Sequence, residues 1–381
     1  MNKIKLLSPV NGSILDIFCD GIKGYLNAKT EEEQAQYLAL NSQKPFDKQI
    51  GTLSFEKVDD ADSYRVYVCK NNDFKDNTFL VINETHVIPG FLLPNQKYYW
   101  KVEAIKNNEV IASSDTSFFI TSGEHSIRQL NIEGLINTRD EGGYLTESGK
   151  RIKYELLYRG VCLNGVYNLK PQNNGLYIMN NILKWKTEID FRTTNHDDIG
   201  LDGCCQTENF FNKNNIYLKA PFTTMLYIFP NWKQEFPIKR EYDKNTKESF
   251  KKIFEIISKK ENYPIYMHCN SGADRTGTIG YILLGLLGVS YKDLIIDFEL
   301  TTFAYTSNHF RSFIKDGKFT EDGVCQDDDK NYIAFGKMNK YMMEHYGTGD
   351  NKISSAIQNY LIAEFDIPLE EIESFKKIML E

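Results

Sequence analysis

The chain holds 381 residues, 41% hydrophobic and 25% charged, an ordinary composition for a folded globular protein and a length that suits two domains. A net charge of −7, with neither half basic, argues against nucleic acid or an anionic membrane as the main partner. No stretch approaches the ~18 uninterrupted apolar residues of a membrane span, and seven scattered cysteines with no CxxC pair form neither a disulfide framework nor a zinc site.

At the N-terminus, Asn11, Gly12 and Asp16 interrupt the apolar residues before a secretory core can form. The expectation is a cytoplasmic protein as written, secreted only if a leader has been removed. Short β-type runs then alternate with turn residues: 52–56, 63–68, 78–83, 98–105, 110–112 and 117–121. Twenty-three Tyr and twenty-four Phe fit such half-buried pleated surfaces. This spacing predicts a small antiparallel sandwich over residues 1–122. Thr30 and Glu33 have capping-box spacing and open a helical run near 30–43, read as an insert between the first strands.

The runs SFEKVDDADSYRVYV, VIPGFLLPNQKYYWKVEAI and SDTSFFIT resemble a fibronectin type III domain. Phe55 stands where that family commonly has Trp. The resemblance implies a binding or spacer module, whose ligand it does not name.

From residue 123 to 381 the pattern changes. EIDFR at 188–192, IYLK at 216–219 and PIYMH at 264–268 read as strands. Helical patterns cover 177–186, 247–260, 276–287, 291–301, 352–364 and 369–380. The alternation predicts an α/β domain with a mostly parallel sheet flanked by helices.

The segment 264–288 carries the chemistry. A buried-type strand ends at His268, a short loop with Gly272 at its middle follows, and a helix opens at Thr276. Such a turn points consecutive backbone N–H groups at one spot, an anion site that needs no side chain. A thiol at its first position, Cys269, is favoured as the thiolate nucleophile. Arg275, six residues on, offers a fork for two phosphoryl oxygens that Lys cannot copy. The loop residues Asn270, Ser271, Gly272 and Ala273 would bind the anion, and the Thr276 hydroxyl could donate to the Cys269 sulfur. Cys269 alone would more often be a buried structural thiol; the whole pattern lifts it above that.

His-Cys-x5-Arg-Thr-Gly matches the signature loop of protein tyrosine phosphatases. Asn137, Arg139, Asp140, Gly142, Gly143 and Tyr144, then GKR at 149–151 and LYRG at 157–160, resemble the N-terminal signature of their bacterial branch. EIDFRT and the ending YLIAEFDIPLEEIESFKKIML resemble its strand and closing helices, so the likeness spans nearly all of 125–381. It implies a cysteinyl-phosphate mechanism without metal or organic cofactor, acting on a phosphorylated protein or a small phosphomonoester. One departure is Ala273, where that branch has a lysine suited to highly anionic substrates.

A phosphate ester needs a general acid for its leaving oxygen. Many tyrosine phosphatases use a Trp-Pro-Asp loop; Phe229, Pro230, Asn231 and Trp232 are the nearest match, and Asn cannot donate an acidic proton. The bacterial branch has an Asp beside the loop Arg, matched by Asp274. Asp190, Asp197 and Asp243 stay open as alternatives. Arg139 and Asp140 read as support for the site or as a plain surface ion pair, and His268 as a loop-orienting residue. The other histidines, 309 among them, lack ligand spacing and read as ordinary surface or core residues. Two rivals remain: inositol polyphosphate or phosphoinositide as substrate, and a non-catalytic phosphate-binding module.

Overall fold

The computed structural model describes residues 2–41, 50–165, 169–171, 173–193, 206–222, 244–304, 309–312, 314–319 and 335–381. These fall into two compact units, one within Met1–Asp20, Asp47–Gly134 and Pro171–Lys184, the other within Gly21–Phe46, Leu135–Lys170 and Trp185–Glu381.

The first unit is built on β-strands. β1 (Asn2–Ile4), β3 (Ile14–Leu15), β5 (Ser63–Cys69), β6 (Phe79–Ile82), β8 (Lys97–Lys106), β9 (Glu109–Ser114) and β10 (Ser117–Thr121) form one sheet. β2 (Leu6–Ser8), β4 (Leu53–Phe55) and β7 (His86–Val87) form a second. β8 is the spine, antiparallel to β5 along one edge and to β9 and β10 along the other. Its period-two alternation buries Tyr98, Trp100, Val102 and Ala104 and turns Lys97, Lys101 and Glu103 outward. Phe55 of the smaller sheet meets Tyr64 of the larger edge-on, ring centroids 4.8 Å apart.

The helix expected over 177–186 takes another form. A five-residue helix, α3 (Asn173–Tyr177), widens into a π-turn over Ile178–Ile182, closed by Leu183 N–H to Ile178 O at 2.8 Å. Lys184 then turns left-handed (φ +53°), which ends the run before the next strand.

In the second unit β11 (Arg139–Asp140), β12 (Leu157–Gly160), β15 (Ile265–His268), β13 (Thr187–Asp190) and β14 (Tyr217–Lys219) lie side by side in that order. Every pairing among them is parallel except the β11–β12 edge. β12, β13 and β15 are buried throughout, as strands of a covered parallel sheet should be. Trp185 stacks on Tyr266, centroids 4.4 Å apart. Helices α4 (Lys244–Ile257), α5 (Asp274–Leu286), α6 (Tyr291–Leu300), α7 (Phe335–Tyr346), α8 (Ile353–Phe365) and α9 (Leu369–Met379) complete the unit. Ser290 caps α6 by accepting from Asp293 N–H at 3.2 Å. Asp366, left-handed at φ +52°, and Pro368 separate α8 from α9. Among the described residues no helix is long and apolar enough to cross a membrane.

The packing draws the boundary elsewhere than at residue 122. The helix expected near 30–43 is α2 (Glu31–Asn41); a further, unexpected helix, α1 (Asp20–Asn27), precedes it, and residues 21–46 group with the second unit. The start of α2 obeys the capping signal: Thr30 Oγ accepts from Glu33 N–H at 3.1 Å, and Glu33 accepts from Lys29 N–H at 2.6 Å. The apolar face of the two helices explains their allegiance, since Ile22, Tyr25, Leu26, Ala35 and Leu38 are buried and the Tyr25 ring lies 5.5 Å from Phe303.

Candidate active site

The loop 269–273 joins β15 to α5 inside the second unit. Gly272 has φ +68°, and a Cβ there would lie 2.3 Å from the Gly160 carbonyl oxygen, so only glycine fits. The loop carbonyls are tied from behind: Asn270 O accepts from Cys162 N–H at 3.0 Å, Ser271 O from Asn137 Nδ2 at 3.1 Å and Gly272 O from Arg159 Nη2 at 2.9 Å. The N–H and C=O of one peptide point in opposite directions, so tying these carbonyls back turns the amides of 271–273 the other way. Cys269, 3% exposed, stands at the start of that arc.

The tethers rest on a buried ionic bed. Asp297 of α6 accepts from Arg139 Nε at 2.7 Å and from Arg159 Nη1 at 2.8 Å, and Arg139 Nη1 donates to Asn137 Oδ1 at 2.7 Å. One carboxylate thus fixes both guanidiniums whose contacts reach loop carbonyls. Burial alone would raise the Asp297 pKa, but Arg139 and Arg159 overcome it and hold the carboxyl below its ordinary range. Glu141, in the same bed, goes the other way: burial, then the Asp297 charge, push it up to about 8. Among the described residues neither of its oxygens has a hydrogen-bond partner, although Arg159 Nε lies 3.5 Å away.

Arg139 is therefore no surface ion pair but a support buried beneath the loop. Asp140 braces a different element, the 140–155 turn, where its oxygens accept from Gly142 N–H at 2.8 Å and Glu155 N–H at 2.9 Å. His268 Nδ1 faces Cys269 O at 3.0 Å and Nε2 faces Glu188 Oε1 at 2.9 Å. The carbonyl can only accept, so Nδ1 carries a hydrogen and the ring pins the peptide after the strand.

Asp274 opens α5 with its side chain 38% exposed, and its Oδ1 lies 3.2 Å from His309 Nε2. Arg275 Nη1 donates to Phe191 O at 3.3 Å. Ala273 is 2% exposed. Thr276 is fully buried, and its hydroxyl has no partner among the described residues, so the bond to the Cys269 sulfur is not made here. Asp190 drops out as an acid. It is buried and accepts from Arg192, Tyr217 and Lys219, at 2.8 to 3.0 Å. Against burial, His268 and Arg192 hold its carboxyl below the usual range, so it has no proton to give. Asp197, Asp243 and 229–232 lie outside the described residues, as do Cys204, Cys205 and Cys325.

The tyrosine phosphatase family profile matches residues 130–381, well over half of the sequence. The chain belongs to the tyrosine phosphatase family. A tyrosine-protein phosphatase of Nostoc commune is 24% identical over 119 residues, which is 30% of this chain and 40% of that relative. The core catalytic domain of the PP-IP phosphatase SIW14 of S. cerevisiae, solved with citrate, is 14% identical over 44% of this chain and 80% of that one, with a TM-score of 0.26. A second Siw14 catalytic core gives 16%, 41% and 75% at the same score. At 0.26 neither superposition bears on residue roles.

Within this tyrosine phosphatase family member, Asn137 and Arg159 lie in the segments that carried the family likeness, yet nothing local to them shows that they hold the loop. Asp297 left a faint trace, one of two acidic residues, with Glu299, in the otherwise apolar run LIIDFEL. His309 left none; it lies 35 positions from Asp274.

Proposed function

We propose that this chain is a cysteine-dependent phosphomonoester hydrolase acting on phosphotyrosine. The observation that carries this reading is the tethered loop, with Cys269 at its start, its amide side turned inward and Arg275 in the first turn of α5. The Cys269 thiolate attacks phosphorus, the S–P bond forms, and the bond to the leaving oxygen breaks. Asp274 gives that oxygen its proton. Water then attacks phosphorus, the S–P bond breaks, the Asp274 carboxylate takes the water proton and the thiolate returns. Arg275 and the amides of 270–275 hold the equatorial oxygens through both steps. No metal or organic cofactor enters.

Ala273 favours phosphotyrosine over inositol phosphates, because a buried methyl group stands where the resembling branch has a lysine. The first unit we read as a fibronectin type III-like module. Its three-stranded and seven-stranded sheets and the inward Phe55 support that reading, and it makes the unit a binding or spacing element outside the chemistry.

The test is phosphate release from matched phosphotyrosine, phosphoserine and phosphothreonine peptides and from inositol phosphates. Phosphotyrosine should give the highest kcat/KM. A higher value for an inositol phosphate would move the substrate class, and no release from any compound would remove the catalytic reading.

A further inference from the structure

His309 is 1% exposed, yet the acceptor its Nε2 faces, Asp274, is a partly exposed carboxyl. The backbone that carries the imidazole is held apart from that contact. The Thr302 hydroxyl accepts from His309 N–H at 2.9 Å and donates to His309 O at 3.0 Å, and Phe298 packs on the ring with centroids 5.0 Å apart. Two residues on, Arg311 is anchored to buried Glu299, its backbone N–H to Oε1 at 2.7 Å, Nε to Oε1 at 3.0 Å and Nη2 to Oε2 at 2.7 Å. The insert closes the clamp: Gln34 accepts from Arg311 Nη2 at 2.8 Å, Glu31 from Nη1 at 3.1 Å, and Tyr25 OH donates to Glu299.

An ion pair or hydrogen bond to a partly exposed carboxyl stabilises little, whereas the Thr302 bonds to His309 are buried and the Arg311 bonds to the buried Glu299 carboxylate are charge-assisted. The constraint therefore runs from His309 to Asp274. A general acid works only if its proton-bearing oxygen faces the leaving group, and a carboxyl at a helix start can rotate.

We propose that His309 is a positioning residue for Asp274. Its Nε2–H donates to Oδ1, leaving the other carboxyl oxygen to carry the proton to the leaving group and later to receive one from water. The role rests on the reading of Asp274 as the acid. It also gives the helical insert a part in the chemistry, because Tyr25, Glu31 and Gln34 fix the residue pair that fixes the segment carrying His309.

Leaving-group dependence isolates this role, since an aryl oxide that departs easily needs little protonation and a poor one needs it fully. The experiment measures kcat/KM of the full chain with 2,4-dinitrophenyl phosphate and phenyl phosphate, in wild type, Asp274→Asn, His309→Asn and His309→Gln. The Asn amide reaches no farther than Nδ1 and misses Asp274, whereas the Gln amide reaches about as far as Nε2. The ratio of phenyl to dinitrophenyl rate should fall most in Asp274→Asn and roughly tenfold in His309→Asn, part of the 100- to 10,000-fold a general acid supplies. His309→Gln should restore most of the ratio. A fall in Asp274→Asn with an unchanged ratio in His309→Asn would overturn the positioning role alone. An unchanged ratio in Asp274→Asn would overturn the acid itself, and the positioning role with it. Equal losses on both substrates in the Asn and Gln variants would reduce His309 to a packing residue.

Discussion

At the scale of single residues, the bed beneath the loop makes a testable claim about pH. Glu141 is buried and its carboxyl is raised from an ordinary 4.5 to about 8, by burial first and the Asp297 charge second. A raised acid binds its proton more tightly in the folded state. The stabilisation is full below pH 4.5, shrinks as pH rises, and is lost above about 8. Urea unfolding should therefore show stability falling between about pH 5 and 8.5 by at most about 4 kcal/mol, and Glu141→Gln should flatten that slope. A slope unchanged in Glu141→Gln would assign the titration elsewhere. The contiguous loop residues were legible in the sequence because nucleophile, anion arc and guanidinium must lie on one short turn. Asn137, Arg159, Asp297 and His309 were not, because they meet the loop only after strands and helices far apart in sequence are brought together.

At the scale of elements, periodicity served well where one force dominated. The strands at 63–68, 98–105 and 264–268 and the helices near 247–260, 276–287 and 369–380 appear within a few residues of their expected places. It served poorly where tertiary packing decides. The 177–186 helix gives way to α3 and a π-turn, and α7 forms where no helix is expected, burying Phe335, Met338 and Met342 at helical spacing. The insert is the instructive case: a capping box fixed the start of α2, but no local signal said which unit its buried face would join. Since α1 and α2 bury Ile22, Tyr25, Leu26 and Leu38 within the second unit, a fragment of residues 123–381 loses a wall of its own core. Losing several large buried side chains, at roughly 2 kcal/mol each, should lower its thermal midpoint by about 10 °C or more. Circular dichroism melts of the fragment, with and without a 20–46 peptide added, provide the measurement. An unchanged midpoint together with a full rate on a small aryl phosphate would detach the insert from the catalytic unit.

At the scale of the whole molecule, a net charge of −7 says nothing of a buried cluster of paired charges. Arg139, Arg159 and Arg192, all buried, are gathered around one loop and its neighbouring strand, where their charges face buried carboxylates. Composition could exclude partners for the surface but could not reveal this interior arrangement, and the change of pattern near residue 122 marked a shift in element type without marking the edge of a packed core. In the proposed mechanism this arrangement serves the reactivity of Cys269, and that proposal has one direct test. Phosphate release from a phosphotyrosine peptide and vanadate binding are measured side by side for the intact chain and Cys269→Ser. The account predicts turnover below a few per cent of wild type with vanadate still bound, because the tethered backbone and Arg275 are untouched. Substantial turnover by Cys269→Ser would contradict it.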